Sequence, residues 1–326
     1  MRSAIISGTG SALPERVVTN RDLEKTVDTS DEWIVTRTGI RERRIAGEGD
    51  RLSTYAIPAG RQALEMAGVP ASKLDMIICA TVTPDMPIPA TACFIQTALG
   101  APRCPAFDMQ AGCSGFIYAL TIAKQFVING RYDNILVIGA ELLSKYLDWK
   151  DRTTCVIFAD GAGAVLVSAG EPPRGILATS IHTDGSMADF ITMPGGGTAY
   201  PTTEKTVRDR LHFIKMKGNE TFKIAVRAIE EVSREVLQSA GLRPEDVDLF
   251  VPHQANLRII DGVAQRLALD PSKCYVNIER VGNTSAASIP IALDEVVRAG
   301  RVKQDEILLF AAFGAGLTWG ASVVRW

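Results

Sequence analysis

Three short segments, far apart in the chain, each hold one member of a set able to do thioester chemistry. They are Ala111-Gly112-Cys113-Ser114-Gly115-Phe116, Pro252-His253-Gln254-Ala255-Asn256 and Gly282-Asn283-Thr284-Ser285-Ala286-Ala287. A thiol supplies a nucleophile, an imidazole a base or donor, and a carboxamide a neutral hydrogen-bond donor. The chain has only 3 histidines, so His253 has few competitors. A fourth stretch, Gly314-Ala315-Gly316 after Phe313, offers backbone N–H groups for an oxyanion.

Taken singly, each residue has an ordinary explanation. Free cysteine is among the most buried residue types, a lone histidine is usually structural or exposed, and asparagine caps helices well. The setting is what singles them out. Cys113 follows the apolar segment Ala106–Met109 and precedes Phe116–Val127, an almost uniformly apolar stretch ended by Asn129-Gly130. A helix apolar on every side lies at the centre of a fold, and its N-terminus favours thiolate over thiol. Gly112 and Gly115 allow close approach of backbone and ligand. His253 ends the run Leu249–Val251 ahead of a helix over Leu257–Leu267, and Asn283 follows Tyr275–Ile278 ahead of a helix starting at Ser285. Strand C-termini in α/β folds are where ligand sites form.

The elements that must position these residues alternate strand and helix, an α/β pattern. Strands are expected at Ile5–Gly8, Met76–Val82, Ala106–Met109, Ile135–Gly139 and Ala164–Ser168, then at Leu177–His182, Leu249–Pro252, Tyr275–Ile278, Ile307–Ala311 and Ser322–Trp326. The halves echo each other: Ile135–Ala140 resembles Ile307–Ala312, and Gly163–Val167 resembles Gly320–Val324. An internal duplication joined near Gly170–Gly175 follows, with Cys113 in residues 1–172 and His253 and Asn283 in 173–326. Gly8-Thr9-Gly10 and Gly161-Ala162-Gly163 read as turns rather than phosphate loops, because Pro14 and a following strand deny them a helix. Gly195-Gly196-Gly197 reads as a flexible surface loop in a polar insertion reaching Arg210.

Composition narrows the classes. Hydrophobic content is 46%, charged content 22% and net charge −2, a globular balance that points to neither nucleic acid nor an anionic membrane. No apolar run approaches the roughly 18 residues that span a bilayer, and Ala4–Gly8 is too short for a signal peptide. The 6 cysteines make no CxxC pair or metal spacing, which places the chain in a reducing cytoplasm without a metal.

The longer motifs carry a resemblance. Thr29-Ser30-Asp31-Glu32-Trp33-Ile34 with Arg37-Thr38-Gly39-Ile40, Ala111–Phe116, Asp160–Ala164, Pro252–Arg258, Gly282–Ser288 and Leu317-Thr318-Trp319-Gly320 together resemble β-ketoacyl-acyl carrier protein synthase III, a condensing enzyme that starts type II fatty-acid synthesis. The resemblance spans essentially the whole chain. It implies a thiolase-like α/β fold of two duplicated βαβαβαββ halves forming a five-layered αβαβα core. It also implies that Cys113 is acylated by an acyl-CoA primer and that His253 and Asn283 act on malonyl-carrier protein. Elongating synthases carry a second histidine where Asn283 stands, and degradative thiolases a second C-terminal cysteine, whereas no cysteine follows Cys274 here. Plant-type polyketide synthases share the three residues but run longer. No permanently bound cofactor is implied.

The resemblance further assigns Phe313 to a wall over the malonyl carboxylate, beside the oxyanion turn Gly314-Ala315-Gly316. Thr29, Trp33, Arg37, Arg152, Gly218 and Asn256 map onto its CoA groove, with Trp33 and Arg152 sandwiching adenine. Lys223 and Arg258 map onto the carrier-protein contact, which Lys215, Lys217 and Arg266 would extend. Ile88 maps onto a residue reaching the partner's acyl pocket in a homodimer. The chain departs from many relatives in Ala315, where they have glycine, in a longer loop over Gly195–Arg210, and in Ile88 itself. Three rival readings remain: a papain-type Cys-His-Asn hydrolase, an acyltransferase of secondary metabolism, and a non-enzymatic carrier-binding or acyl-sensing protein. The first lacks the expected disulfides and signal, the second shares the same acyl-Cys113, and the third has no need of all three residues.

Overall fold

A run such as Ile135–Ala140, apolar without alternation, is a stable strand only where both faces of its sheet are covered. In the computed structural model, which describes residues 2–326, both faces are covered. The main strands are β1 Ser3–Ala12, β2 Met76–Ala80, β3 Ala106–Met109, β4 Asn134–Leu142, β5 Asp160–Gly170, β6 Gly175–Thr183, β7 Leu249–Pro252, β8 Ile307–Gly314 and β9 Thr318–Arg325. The main helices are α1 Asp31–Thr38, α2 Leu52–Ala67, α3 Thr91–Leu99, α4 Gly115–Ile128, α5 Gly218–Ser239, α6 Leu257–Arg266 and α7 Ser288–Arg298.

The first sheet has the order β1-β5-β4-β2-β3 and the second β6-β9-β8-β7. In the first, β1/β5 and β5/β4 are antiparallel while β4/β2 and β2/β3 are parallel. The second repeats this: β6/β9 and β9/β8 antiparallel, β8/β7 parallel, and a single parallel bridge from Phe250 to Cys274 where the first sheet has β3. Helices α4 and α7 lie between the sheets, touching strands of both, and share one apolar core with their inner faces. The outer faces are covered by α2 and α3 on one side and by α5 and α6 on the other. Five layers, αβαβα, result.

Helix α5 shows how the pattern is written. Ala225, Ile229, Val232 and Val236 recur at helical spacing and are buried, while Arg227, Glu231 and Arg234 face outward. Helix α4 is buried on nearly every side and ends at Asn129, with Gly130 in the left-handed region.

Three expectations need correction. The Gly8-Thr9-Gly10 and Gly161-Ala162-Gly163 segments are not turns but lie inside β1 and β5. Glycine is needed because helices press on these strands: a Cβ at Gly10 would sit 2.2 Å from the Ala59 carbonyl oxygen, and one at Gly163 2.5 Å from the Ile291 nitrogen. Small residues Ala56, Ala59, Gly60 and Ala63 on α2 complete the close approach. The strand expected at Tyr275–Ile278 is absent. After Tyr275 N–H donates to Phe250 O, the Gln254 amide takes over: its oxygen accepts from Asn277 N and Ile278 N, its nitrogen donates to Tyr275 O, and the chain turns into a short helix, Ile278–Val281. The Gly195–Arg210 insertion is not merely a flexible loop. It contains the helix Glu204–Arg208, capped by Thr203 and Thr206, and Arg210 donates to Asp148 at 2.7 Å. Among the described residues no helix is long and apolar enough to cross a membrane.

Candidate active site

Cys113 sits in the one-turn 3-10 segment Gly112–Ser114 that leads from β3 into α4. Gly112 adopts a left-handed φ of 52°, and Ser114 Oγ donates to Thr318 O at 3.0 Å, pinning the turn to β9 of the other half. The end of β8 lies directly against Cys113. A Cβ on Gly314 would fall 2.4 Å from Cys113 N, so only glycine fits there. The Ala315 methyl lies against Gly112, whose missing side chain leaves it room.

His253 follows β7 and its N–H donates to Ala311 O of β8 at 2.8 Å. The imidazole is buried, with Nδ1 lacking a hydrogen-bond partner among the described residues. Ala255 N–H donates back to His253 O at 2.9 Å, and Asn283 Nδ2 faces Ala255 O at 3.4 Å. The Asn283 oxygen accepts from Ser285 N at 2.9 Å, which fixes the amide with its NH₂ end directed away from Ser285, one N–H donating to Ala255 O and the other left over. Asn283 is held from behind by pairing with Phe158: its N–H donates to Ile157 O, and its O accepts from Ala159 N. The turn Ser285–Ala287 packs on the turn carrying Cys113. Phe313 is buried near Trp319, ring centroids 6.5 Å apart.

Electrostatics revise one expectation. Burial pushes the Cys113 thiol up to about 12, although the residue keeps some contact with solvent. Desolvation outweighs the favourable Ser285 hydroxyl and the residue's own N–H, so burial works against the thiolate that a helix terminus alone would favour. Burial likewise pushes His253 down to about 3, so its ring is neutral at physiological pH.

The outlying residues form two groups. On α1, the Arg37 guanidinium lies 4.8 Å from the Trp33 ring centre, and Arg152 lies 5.2 Å from the same ring. Arg152 also donates to Asp28 O, next to Thr29, whose hydroxyl is buried and unpartnered among the described residues. Asn256 caps α6 and donates to Arg37 O at 2.9 Å, tying this group to the loop that carries His253. Gly218 begins α5. The second group is Lys223 and Arg258, both exposed, with Arg258 stacked 5.1 Å over the Phe222 ring. Lys217 is paired with Asp189 and Arg266 with Glu230 at 3.0 Å, so their charges are already partly spent. Ile88 is 86% exposed, far more than its apolar side chain would otherwise favour.

Family models of the N- and C-terminal parts of 3-oxoacyl-[acyl-carrier-protein] synthase III match residues 107–185 and 237–326. A β-ketoacyl-[acyl-carrier-protein] synthase III of Caldanaerobacter subterraneus is 54% identical over 324 residues, covering 99% of this chain and 98% of the relative. The chain belongs to the 3-oxoacyl-[acyl-carrier-protein] synthase III family. The synthase III crystal structure from Aquifex aeolicus is 50% identical, covers 99% of this chain and 100% of its own, and superposes with a TM-score of 0.93. The priming β-ketosynthase of a polyketide biosynthetic pathway is 35% identical with a TM-score of 0.93, covering 99% and 96%. As a synthase III the chain has the thiolase fold and is an acyltransferase with a condensing role in fatty-acid synthesis.

Sequence reasoning passed over two buried polar residues here. Ser285 stood inside a quoted motif without a role, and Glu141 sits at the end of β4, where an acid breaking the apolar run Ile135–Leu143 was a readable signal.

Proposed function

We propose that this synthase III joins a short acyl-CoA primer, acetyl-CoA or similar, to malonyl-carrier protein, giving 3-oxoacyl-carrier protein, CO₂ and CoA. Cys113 attacks the primer thioester while backbone N–H groups at Cys113 and in Gly314–Gly316 hold the oxyanion. After CoA leaves, malonyl-carrier protein enters, and His253 Nε2 and the Asn283 amide hydrogen-bond its thioester oxygen. These neutral donors stabilise the enolate as CO₂ departs, each worth about 3–4 kcal/mol. The enolate carbon then attacks acyl-Cys113. Phe313 excludes water from the leaving carboxylate.

The observation that carries this reading is the fixed Asn283 amide, tied through the Ala255 backbone to the turn that bears a buried, neutral His253. A cationic imidazole would favour general acid chemistry, whereas two neutral donors suit a developing enolate.

Thr29, Trp33, Arg37, Arg152, Gly218 and Asn256 hold CoA in this proposal. The Arg152–Trp33 separation of 5.2 Å must widen to about 7–8 Å for adenine to enter between them, two layers of van der Waals contact. Lys223 and Arg258 meet the acidic carrier protein, Ile88 enters the acyl pocket of the second protomer of a homodimer, and residues 1–172 and 173–326 are the duplicated halves. No cofactor stays bound, no nucleic acid or membrane is involved, and the compartment is the cytoplasm. The likeness to a polyketide priming ketosynthase favours one second reading, in which the same acyl-Cys113 feeds secondary metabolism.

Intact mass after exposure to mixed acyl-CoAs tests the proposal. One short acyl group on Cys113 is expected, with none in Cys113→Ala; acylation of Cys79 or Cys155 instead would refute it. Product analysis with malonyl-carrier protein separates the two destinations.

A further inference from the structure

A hydrogen-bond donor aimed at a developing charge works only if its backbone is held still. The segment that holds Asn283 is itself held from outside the site. Asn283 N–H donates to Ile157 O at 3.1 Å, and its O accepts from Ala159 N at 2.9 Å. One residue before Ile157, Val156 O accepts from Arg43 Nη2 at 2.9 Å. Arg43 lies on the short strand Glu42–Arg44, is fully buried, and pairs with no carboxylate among the described residues. Its stem also presses on the turn. A Cβ on Gly282, which has a φ of 74°, would lie 2.8 Å from Ala159 Cβ and 3.0 Å from Arg43 Cβ. Arg41 N–H donates to Glu279 O at 3.0 Å, which ties the start of the same strand to the helix ending at Val281.

The other end of the guanidinium faces α1. Arg43 Nη1 donates to Asn20 Oδ1 at 2.8 Å and to Val18 O at 3.2 Å. Asn20 is buried, and its Nδ2 donates to Asp31 Oδ1 at 2.8 Å and to Ile40 O at 2.7 Å, gripping the first residue of α1 and the chain just beyond its end. Hydrogen bonds therefore run unbroken from Asp31 through Asn20 and Arg43 to Val156, and the next peptide holds Asn283. A buried cation without a counter-charge is poorly explained by stability, since apolar groups of like volume often serve as well. What a guanidinium supplies is a rigid planar fork, here with one end on the α1 side and the other on the Asn283 side. Lysine, a point charge on a flexible stem, would hold one side only.

We propose that Arg43 is a positioning residue for malonyl decarboxylation, aligning the Asn283 amide through Val156–Ala159 and Gly282. The proposal rests on the synthase III reading and on the enolate-holding role given there to Asn283. Cys113 stands apart from this line, because its turn is pinned to β9 through Ser114.

The test reads the half-reactions separately, as acyl-Cys113 formation at saturating acetyl-CoA and as decarboxylation of malonyl-carrier protein. Arg43→Lys and Arg43→Met should each lower kcat for decarboxylation by about 10–10²-fold, the effect of a misplacement of roughly 1 Å. KM for malonyl-carrier protein and the acylation rate should stay within about twofold of wild type. In an Asn283→Ala background, Arg43→Lys should cost nothing further, because the amide it positions is gone. A folded Arg43 variant with wild-type decarboxylation, equal losses in both half-reactions, or a loss fully additive to that of Asn283→Ala overturns the inference. Arg43→Lys, which keeps the charge, decides the matter if Arg43→Met fails to fold. A wild-type protein that decarboxylates no malonyl-carrier protein overturns the functional reading instead.

Discussion

At the residue scale, the site works by environment more than by intrinsic reactivity. With the task proposed for His253 and Asn283 shared between them, His253→Ala and Asn283→Ala should each still form acyl-Cys113 but lose malonyl decarboxylation by on the order of 10²–10³-fold. Asn283→Asp should be at least as damaging, because a carboxylate keeps the acceptor for Ser285 N–H yet repels the enolate. Failure of His253→Ala to form the acyl adduct would make His253 the base for Cys113 and rule out the division proposed here. The burial that neutralises His253 also has a thermodynamic signature. Its unfolded-state value is near 6.5 and its folded value about 3. Between these the unfolded chain takes up a proton that the native protein refuses, so stability is full above 6.5 and falls as pH drops. Glu141 is shifted the other way, and its contribution is lost as pH rises through about 7. His253→Gln should therefore recover about 2 kcal/mol relative to wild type between pH 7 and pH 5, measured by urea unfolding. An identical pH slope in both proteins would mean the ring is solvated.

At the element scale, three turns carry the proposed catalytic residues, and strands and helices at van der Waals limits hold them. Helix α7 is pressed on β5 at Gly163 and starts just after the turn that carries Ser285. A methyl at Gly163 would meet backbone, Ile291 N at 2.5 Å and Pro290 C at 2.7 Å, so relief requires moving α7. Gly163→Ala should cost about 1–3 kcal/mol by overpacking and should weaken decarboxylation more than acylation, since Asn283 moves with the turn. Gly185→Ala, which meets nothing within 4 Å, is the control. Equal urea midpoints for the two variants would show that α7 yields freely.

At the scale of the whole molecule, a net charge of −2 gives no overall attraction for an acidic carrier protein, so recruitment depends on local cations. Lys223 and Arg258 lie on adjoining helices, free of ion pairs among the described residues, whereas Lys217 and Arg266 are already paired. Charge reversal at Lys223 or Arg258 should raise KM for malonyl-carrier protein, most strongly at low salt, and leave acetyl-CoA acylation nearly unchanged. Equal losses in both half-reactions would place the patch elsewhere.

What the sequence determined by itself was local. The positions of β3, β7 and α4 and the motifs around Cys113, His253 and Asn283 follow from short-range periodicity, and the family follows from motif length. What tertiary structure decided was everything set by what lies opposite. Gly8-Thr9-Gly10 and Gly161-Ala162-Gly163 read as turns because Pro14 and a following strand denied them a phosphate-binding helix; only the backbones of α2 and α7 packed against Gly8, Gly10 and Gly163 explain why most of these strand positions lack a Cβ. Tyr275–Ile278 has strand character, yet the Gln254 side chain intercepts its hydrogen bonds. Cys113 at a helix start reads as a thiolate, but the desolvation that opposes ionisation depends on how deeply the folded chain buries it. Glu141 and Ser285 are 144 residues apart, and no periodicity relates them. Their meeting behind Cys113 exists only once the two sheets close on α4 and α7.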